Sequence, residues 1–250
     1  MHQPYTCSTN GFAVVIPMAN EQEQFTPFVS ALASVLDRLR MGRIYFIVDK
    51  VSQDNTLELC NMLSAQDSRF VTIWAPETKN VVDAYMRGYR EAYNQGFELI
   101  IEMDAGLSHD PHAIPMFLRV LNEGNECAFG SRFINGGSIW GSTAYRTLLS
   151  RWGTFLANIL LGTKMADMTS GFQGFHRSIV GRFLAYPLLS KAHFYQTEIR
   201  YLLRKTRYAE IPIHYRAPSP SVSKFAILNS FEVLFQYFKR RLLFSASLIE

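Results

Sequence analysis

An α/β fold built on a mostly parallel sheet is predicted for this 250-residue chain. Two observations carry the prediction. Short apolar runs alternate with segments of helical spacing through the first half of the sequence, the order that builds a parallel sheet with helices on both faces. One of those runs, Leu99-Ile100-Ile101-Glu102-Met103-Asp104, is apolar at alternate and at neighbouring positions and ends in a carboxylate. Such a run suits a strand covered on both sides.

The elements follow in order. Residues 1–10 are polar and read as a loose tail. Residues 12–17 form the first strand. Residues 25–39 form a helix, with Phe28, Leu32, Val35, Leu36 and Leu39 on one side. Residues 44–49 are the second strand, and 56–65 a helix entered through Asp54-Asn55. A third strand spans 70–74, a third helix 81–94, closed near Gly96, and a fourth strand 98–104. The second half is less regular. It reads as a strand over 128–133, an aromatic- and Leu-rich helix over 145–161, a short strand over 172–176 and a short helix over 179–184. A helix over 196–206 precedes an edge strand over 209–215 that contains Pro212. A Pro/Ser loop over 217–223 leads to a last helix over 225–248. No internal repeat or low-complexity segment is evident.

At 48% hydrophobic, the chain can bury a sizeable core in one domain. Its formal charge of +4 is too diffuse to argue for nucleic acid. It fits a protein that holds phosphates or approaches an anionic membrane. Cys7, Cys60 and Cys127 are odd in number and unrelated in spacing, which points to reduced thiols in the cytoplasm and to neither a disulfide frame nor a metal knuckle. The start lacks a signal-peptide apolar region, and no run reaches the roughly 18 apolar residues of a membrane span.

In open α/β sheets, ligands sit beyond the carboxyl ends of the strands. Asp104 is therefore placed where a divalent cation and a diphosphate meet; the plainer reading is an acid that caps the following turn. The segment Asp104-Ala105-Gly106-Leu107-Ser108-His109-Asp110-Pro111 resembles the Asp-x-Asp region of family 2 glycosyltransferases, in particular the dolichyl-phosphate mannose synthase-like branch. That branch has a second Asp where this chain has Gly106. Further matches follow in family order: Val14-Val15-Ile16-Pro17 with Asn20-Glu21, Ile47-Val48-Asp49, Gly130-Ser131-Arg132-Phe133 with Gly136-Gly137, Asp167-Met168-Thr169-Ser170-Gly171-Phe172, Gln196-x-Glu198, Glu210-Ile211-Pro212-Ile213 and Ser223-Lys224. The likeness spans about residues 12 to 225.

The resemblance implies a GT-A type domain over residues 1–226 and a C-terminal amphipathic helix over 227–250. It implies inverting transfer of a sugar from a nucleotide-diphosphate sugar to a polyprenyl phosphate. Pro17, Asn20, Glu21, Asp49, Lys79, Asp104, Ala105, Gln196, Arg216 and Lys224 form the implied donor site. Arg216 and Lys224 lie eight positions apart, two more than the family usually has. Mg²⁺ or Mn²⁺ would sit on Asp104 with Ser108; since Mg²⁺ takes one or two carboxylates plus phosphate oxygens and water, one Asp suffices. Arg132 and Arg146 are the implied acceptor-phosphate residues, because a guanidinium fork fits a phosphate bidentately; Arg151 is a weaker candidate. Asp104, Arg132, Arg146 and Glu198 make up the expected catalytic set. His109 is either catalytic or a hydrogen-bonded structural residue, and Asp110 either a ligand or the cap before Pro111.

A phosphate monoester is largely a dianion at pH 7 and needs no general base. Two other readings stay open. A saccharide or protein acceptor would need a base, and Asp167 or Glu198 would have to serve. Gly106, Ala19 and Lys50 could instead mark a degenerate nucleotide-binding scaffold. Finally, Phe231, Leu234, Phe235, Phe238, Leu242 and Leu243 lie beside Lys239-Arg240-Arg241. At helical spacing they form an apolar stripe next to a basic cluster, suited to peripheral attachment at the cytoplasmic face of a membrane or to packing on the domain. Oligomeric state is not legible.

Overall fold

The computed structural model describes residues 11–39, 41–216 and 224–243. The expected tail over 1–10, the loop over 217–223 and the end of the last helix lie outside the described residues. In chain order the elements are β1 (Phe12–Met18), α1 (Phe25–Leu36), β2 (Gly42–Val48), α2 (Thr56–Gln66), β3 (Phe70–Trp74), α3 (Val81–Asn94), β4 (Leu99–Glu102), α4 (Ile114–Asn122), β5 (Cys127–Ser131), β6 (Ser138–Trp140), α5 (Ala144–Leu161), β7 (Gln173–His176), α6 (Arg177–Leu184), α7 (Tyr195–Leu202), β8 (Tyr208–Pro212), β9 (His214–Arg216) and α8 (Lys224–Leu243).

Seven strands form one sheet in the order β3-β2-β1-β4-β7-β5-β8, and β6 pairs with β9 apart from it. The β3-β2-β1-β4 part is parallel throughout, and β7 is inserted antiparallel between β4 and β5. β1 has its sequence neighbour β2 on one side and β4 on the other, so the strand order reverses there. That reversal opens a crevice at the carboxyl ends of β1 and β4.

Both faces of the sheet are covered, as its sequence of apolar strands requires. Val14, Ile16, Phe46 and Ile101 face a core shared with α1, α2 and α4. Val15, Ile47, Ile100 and Phe175 face a larger core with α3, α5, α6, α7 and α8. α3 lies very close to the sheet: a Cβ on Gly88 would come within 2.2 Å of Val15 Cγ1, so only glycine fits there. Asn80 caps α3 by accepting from Asp83 N–H at 3.1 Å.

Several elements differ from expectation: β4 ends at Glu102 and not at 104, α7 ends at Leu202 and not at 206, and α4 and β6 were not read from the sequence. α1 ends at Leu36 because the chain tightens, with Arg38 N–H bonding Val35 O. The edge strand expected over 209–215 is two strands: β8 pairs with β5, and β9 pairs with β6. Pro212 has no N–H to continue the ladder, and buried Ile213 anchors the change of partner. The last helix begins at Lys224, and its inner face belongs to the domain core. Val233, Leu234 and Tyr237 are buried there, Asn229 Oδ1 accepts from Lys191 N–H at 3.1 Å, and Arg241 donates to the carbonyls of Ile159 and Leu160. Those are among the last carbonyls of α5, where a cation is favoured.

Candidate active site

The crevice at the strand reversal is a cavity of about 510 Å³. Part of the lining comes from the strand ends: Pro17 near the end of β1, Ala19 and Glu21 after it, Asp49 after β2, and Asp104, Ala105 and Ser108 after β4. The second half of the chain adds Arg132, Arg146, Ser170, Gly171, Gln196 and Tyr215 to the lining. Residues far apart in sequence thus meet because the parallel topology brings the loops after β1, β2 and β4 to one edge.

Asp104 is held by two hydrogen bonds. Tyr85 donates its hydroxyl to Asp104 Oδ1 at 2.7 Å. The Asp104 backbone N–H donates to His109 Nδ1 at 3.0 Å. This fixes a neutral imidazole with its proton on Nε2, and burial also lowers the His109 pKa. His109 is fully buried, stacked between Phe172 and Tyr215, so it orients the Asp104 backbone rather than facing the cavity. Asp110 accepts from His112 N–H at 2.9 Å and caps the turn at Pro111, the structural alternative of its two readings.

Gly106 has φ of +66°, and a Cβ there would lie 2.6 Å from Glu21 Oε2. Both facts resist any side chain at this position. Burial, then the nearby Asp104 and Asp54 charges, raise the Glu21 pKa. No three acidic, His or Cys groups enclose a metal position among the described residues. Oxygen donors among the lining residues include the carboxylates of Asp104, Glu21 and Asp49 and the Ser108 hydroxyl. That set fits a hard cation whose remaining ligands are diphosphate oxygens and water.

In the second half of the chain, Arg132 and Asp167 form a bidentate pair, Nε to Oδ2 at 2.7 Å and Nη2 to Oδ1 at 2.8 Å. The same Nη2 also reaches Thr169 Oγ1. Burial alone would push the Asp167 carboxyl up; the Arg132 charge and hydrogen bonds outweigh it, and the pKa falls to about 2. Nη1 of Arg132 carries no hydrogen bond among the described residues. Arg146 enters from the first turn of α5, whose cap is Thr143. Its Nη1 is buried without a hydrogen-bond partner among the described residues. Arg151 stays exposed, over the Phe133 ring at 4.7 Å.

Several expected residues lie elsewhere. Gln196 and Glu198 sit on helix α7, where positions two apart face different ways. Gln196 lines the cavity, whereas Glu198 does not. The Glu198 carboxylate accepts from Leu189 N–H at 2.7 Å, Ser190 N–H at 2.9 Å and Tyr237 O–H at 2.6 Å. It ties α8 to the domain and cannot touch a substrate in the cavity. Asn20 has φ of +57°, and its side chain is spent on Val51 O and Gln53 N–H. Lys79 and Lys224 are exposed and outside the cavity lining. Arg216 borders a neighbouring depression with Trp140 and Asp110, its N–H bonded to Ser108 O at 2.9 Å.

Two supports were not read from the sequence. Arg200 is fully buried and donates to the carbonyls of Asp167, Gly130 and Ser170 and to Gln173 Oε1. It lies on α7, all of whose residues are buried. Glu102, two residues before Asp104, accepts from Tyr89, Tyr195 and Gln173. Burial, with the Asp104 charge, overrides those donors and raises its pKa to about 8.

Residues 13–184 match the family model described as Glycosyl transferase family 2. The chain belongs to glycosyl transferase family 2. It is 26% identical over 226 residues to a polyprenol monophosphomannose synthase of Mycolicibacterium smegmatis, covering 89% of this chain and 84% of that one. It is 31% identical over 170 residues to a dolichol-phosphate mannosyltransferase of Pyrococcus furiosus, covering 67% of this chain and 47% of that longer protein. A solved glucosyl-3-phosphoglycerate synthase from Mycobacterium tuberculosis, in complex with Mn²⁺, UDP-glucose and phosphoglyceric acid, shares the fold. Its TM-score is 0.69 at 14% identity, over 92% of this chain and 80% of that one. This family 2 glycosyltransferase therefore has the mostly parallel GT-A architecture its sequence predicts.

Proposed function

We propose that this family 2 glycosyltransferase moves a sugar from a nucleotide-diphosphate sugar to a polyprenyl phosphate, with inversion at the anomeric carbon. One observation carries the choice of acceptor. The cavity that holds Asp104 also presents two guanidiniums, Arg132 and Arg146, while Asp167 and Glu198, the two acids considered as a base, are consumed. Asp167 is buried in the Arg132 pair and Glu198 in its contacts to α8. A neutral hydroxyl acceptor held by these arginines would find neither of those acids free, and the remaining carboxylates of the cavity, Glu21, Asp49 and Asp104, belong to the strand ends assigned to the donor and its cation. A phosphate dianion brings its own charge and needs only to be held and aimed. The curated relatives named above support the same reading.

In this mechanism the strand-end residues hold the nucleotide diphosphate. A divalent cation, Mg²⁺ or Mn²⁺, would be held by Asp104 and would neutralise the departing diphosphate. Tyr85 and His109 keep Asp104 aimed at the cavity. Arg132, locked by Asp167, and Arg146 grip the acceptor phosphate. A phosphate oxygen bonds to the anomeric carbon as the bond to the diphosphate oxygen breaks, and that electron pair leaves with the nucleotide. No proton need move.

A membrane surface fits as the place of acceptor capture. α5 turns Arg146 and Ser150 toward the cavity and exposes Tyr145, Leu148, Trp152, Phe155 and Ile159 on another face. α8, packed beside it, exposes Phe225, Leu228, Phe231, Phe235 and Leu242. The two helices hold six basic residues and one acid, a formal +5, against +4 for the whole chain. No described helix is long and apolar enough to cross a bilayer. These features suit helices lying in an anionic interface, at the cytoplasmic face where the nucleotide sugar is drawn.

The test is transfer from a panel of labelled nucleotide sugars to a short polyprenyl phosphate, with Mg²⁺, Mn²⁺ or EDTA. A labelled lipid-linked sugar that disappears in EDTA is expected. Nucleotide binding with no transfer to the lipid under any condition would favour a non-catalytic scaffold.

A further inference from the structure

The motif carboxylate missing at position 106 leaves a space that is already filled. A Cβ built on Gly106 lies 2.6 Å from Glu21 Oε2, 3.5 Å from Cδ and 3.7 Å from Oε1. The Glu21 carboxylate therefore stands against the motif backbone, where a side chain at 106 would project. We propose that Glu21, from the turn after β1, supplies the second carboxylate of the cation site in place of the absent motif acid. This rests on the donor and cation reading above.

Three observations support the assignment. The turn that carries Glu21 is pinned. Glu21 N–H donates to Thr56 Oγ1 at 2.8 Å, Asn20 N–H to Ser52 Oγ at 3.1 Å and Gln22 N–H to Asp54 Oδ2 at 3.0 Å. The position of Glu21 is thus set by the buried end of α2 and does not depend on a mobile rotamer alone. Second, the Glu21 carboxylate has no hydrogen bond or ion pair among the described residues, and it does not cap α1, which has no side-chain cap. Third, it shares the cavity with Asp104 and Ser108. A half-buried acid beside another acid and without a donor is unfavourable until a cation joins them. Two carboxylates from separate loops, with diphosphate oxygens and water, complete a common ligand set for a small divalent ion. Gly106 is then the complement of Glu21, since its positive φ and the 2.6 Å approach leave room for the incoming carboxylate.

The experiment measures Mn²⁺ affinity by electron paramagnetic resonance on the full chain with UDP or GDP present, and nucleotide affinity separately in EDTA. Glu21→Gln should weaken Mn²⁺ binding at least tenfold, a much larger loss than its change in nucleotide affinity in EDTA. The double variant Glu21→Ala, Gly106→Asp removes the clash and returns a carboxylate to the motif. It should bind Mn²⁺ at least tenfold more tightly than Glu21→Ala alone. Unchanged Mn²⁺ affinity in Glu21→Gln overturns the proposal. So does an equal loss of nucleotide affinity in EDTA, which would assign Glu21 to the ribose or base. Transfer by the wild-type enzyme is scored separately, so active wild type with Mn²⁺ binding indifferent to Glu21 would refute this inference and leave the proposed function standing.

Discussion

Arg132 and Arg146 line one cavity but differ in what their loss would do. Removing Arg132 strands a fully buried Asp167 carboxylate, and breaking a buried pair typically costs about 3–5 kcal/mol. Arg132→Ala is therefore expected to lower the melting temperature by many degrees as well as to abolish transfer. Arg146 has no such partner. A charge-assisted hydrogen bond contributes roughly 1.5–3 kcal/mol, so Arg146→Ala should weaken use of the acceptor about tenfold to a hundredfold. Its fold and its nucleotide affinity should stay near wild type. Steady-state kinetics in acceptor, paired with thermal melts, separates the two; an Arg146 variant that loses donor binding instead would reverse the assignment. Glu102 offers a pH prediction. Its pKa is raised from 4.5 to about 8 in the folded state. Between those values the unfolded chain has released the proton and the folded chain keeps it, so stability falls as pH rises through this window and levels above about 8. Glu102→Gln keeps the hydrogen-bonding shape without the titration. Its melting temperature should decline less than that of wild type from pH 5 to pH 8, and parallel curves would refute the burial argument.

At the scale of elements, α5 and α8 each serve two surroundings. α8 buries Val233, Leu234 and Tyr237 in the domain core and ties Glu198 by a 2.6 Å bond from Tyr237. Deleting it would unfold the protein, so point substitutions on the exposed faces are the sound test of membrane attachment. Trp152 and Phe155 are 58% and 54% exposed and contact each other edge to face. Trp152→Glu with Phe155→Glu should leave the melting temperature within a few degrees of wild type. The pair should reduce co-sedimentation with anionic vesicles severalfold, and wild-type binding should weaken as salt rises. Full-length protein that stays in the supernatant at low salt would mean that these faces cover something else, such as a second copy of the chain.

Across the whole molecule, legibility followed the range of the interactions. β1 to β4 and their helices could be read because each is a local apolar pattern closed by its own turn, as Asn80 and Gly96 close α3. The β8–β9 break could not, because it depends on which distant strand each half meets; only Pro212 hinted at it. Asp49, Glu21 and Asp104, named from the motifs that carry the family resemblance, line one cavity because the topology brings those strand ends to one edge. Asn20 and Glu198 were misplaced because their uses, a loop staple and a helix tie, are made with partners far along the chain. Tyr85 and Arg200 were missed for the same reason: on a helix, a polar group aimed into the core looks like any other inward position until its partner is known. The two arginines that share the cavity with Asp104, with Asp167 and Glu198 both engaged elsewhere, are what make a charged acceptor the central claim. It is tested most directly by offering the enzyme one labelled nucleotide sugar with equal amounts of a polyprenyl phosphate and the matching free polyprenol in the same vesicles. Transfer to the phosphate alone is the expected result, and comparable transfer to the free alcohol would contradict it.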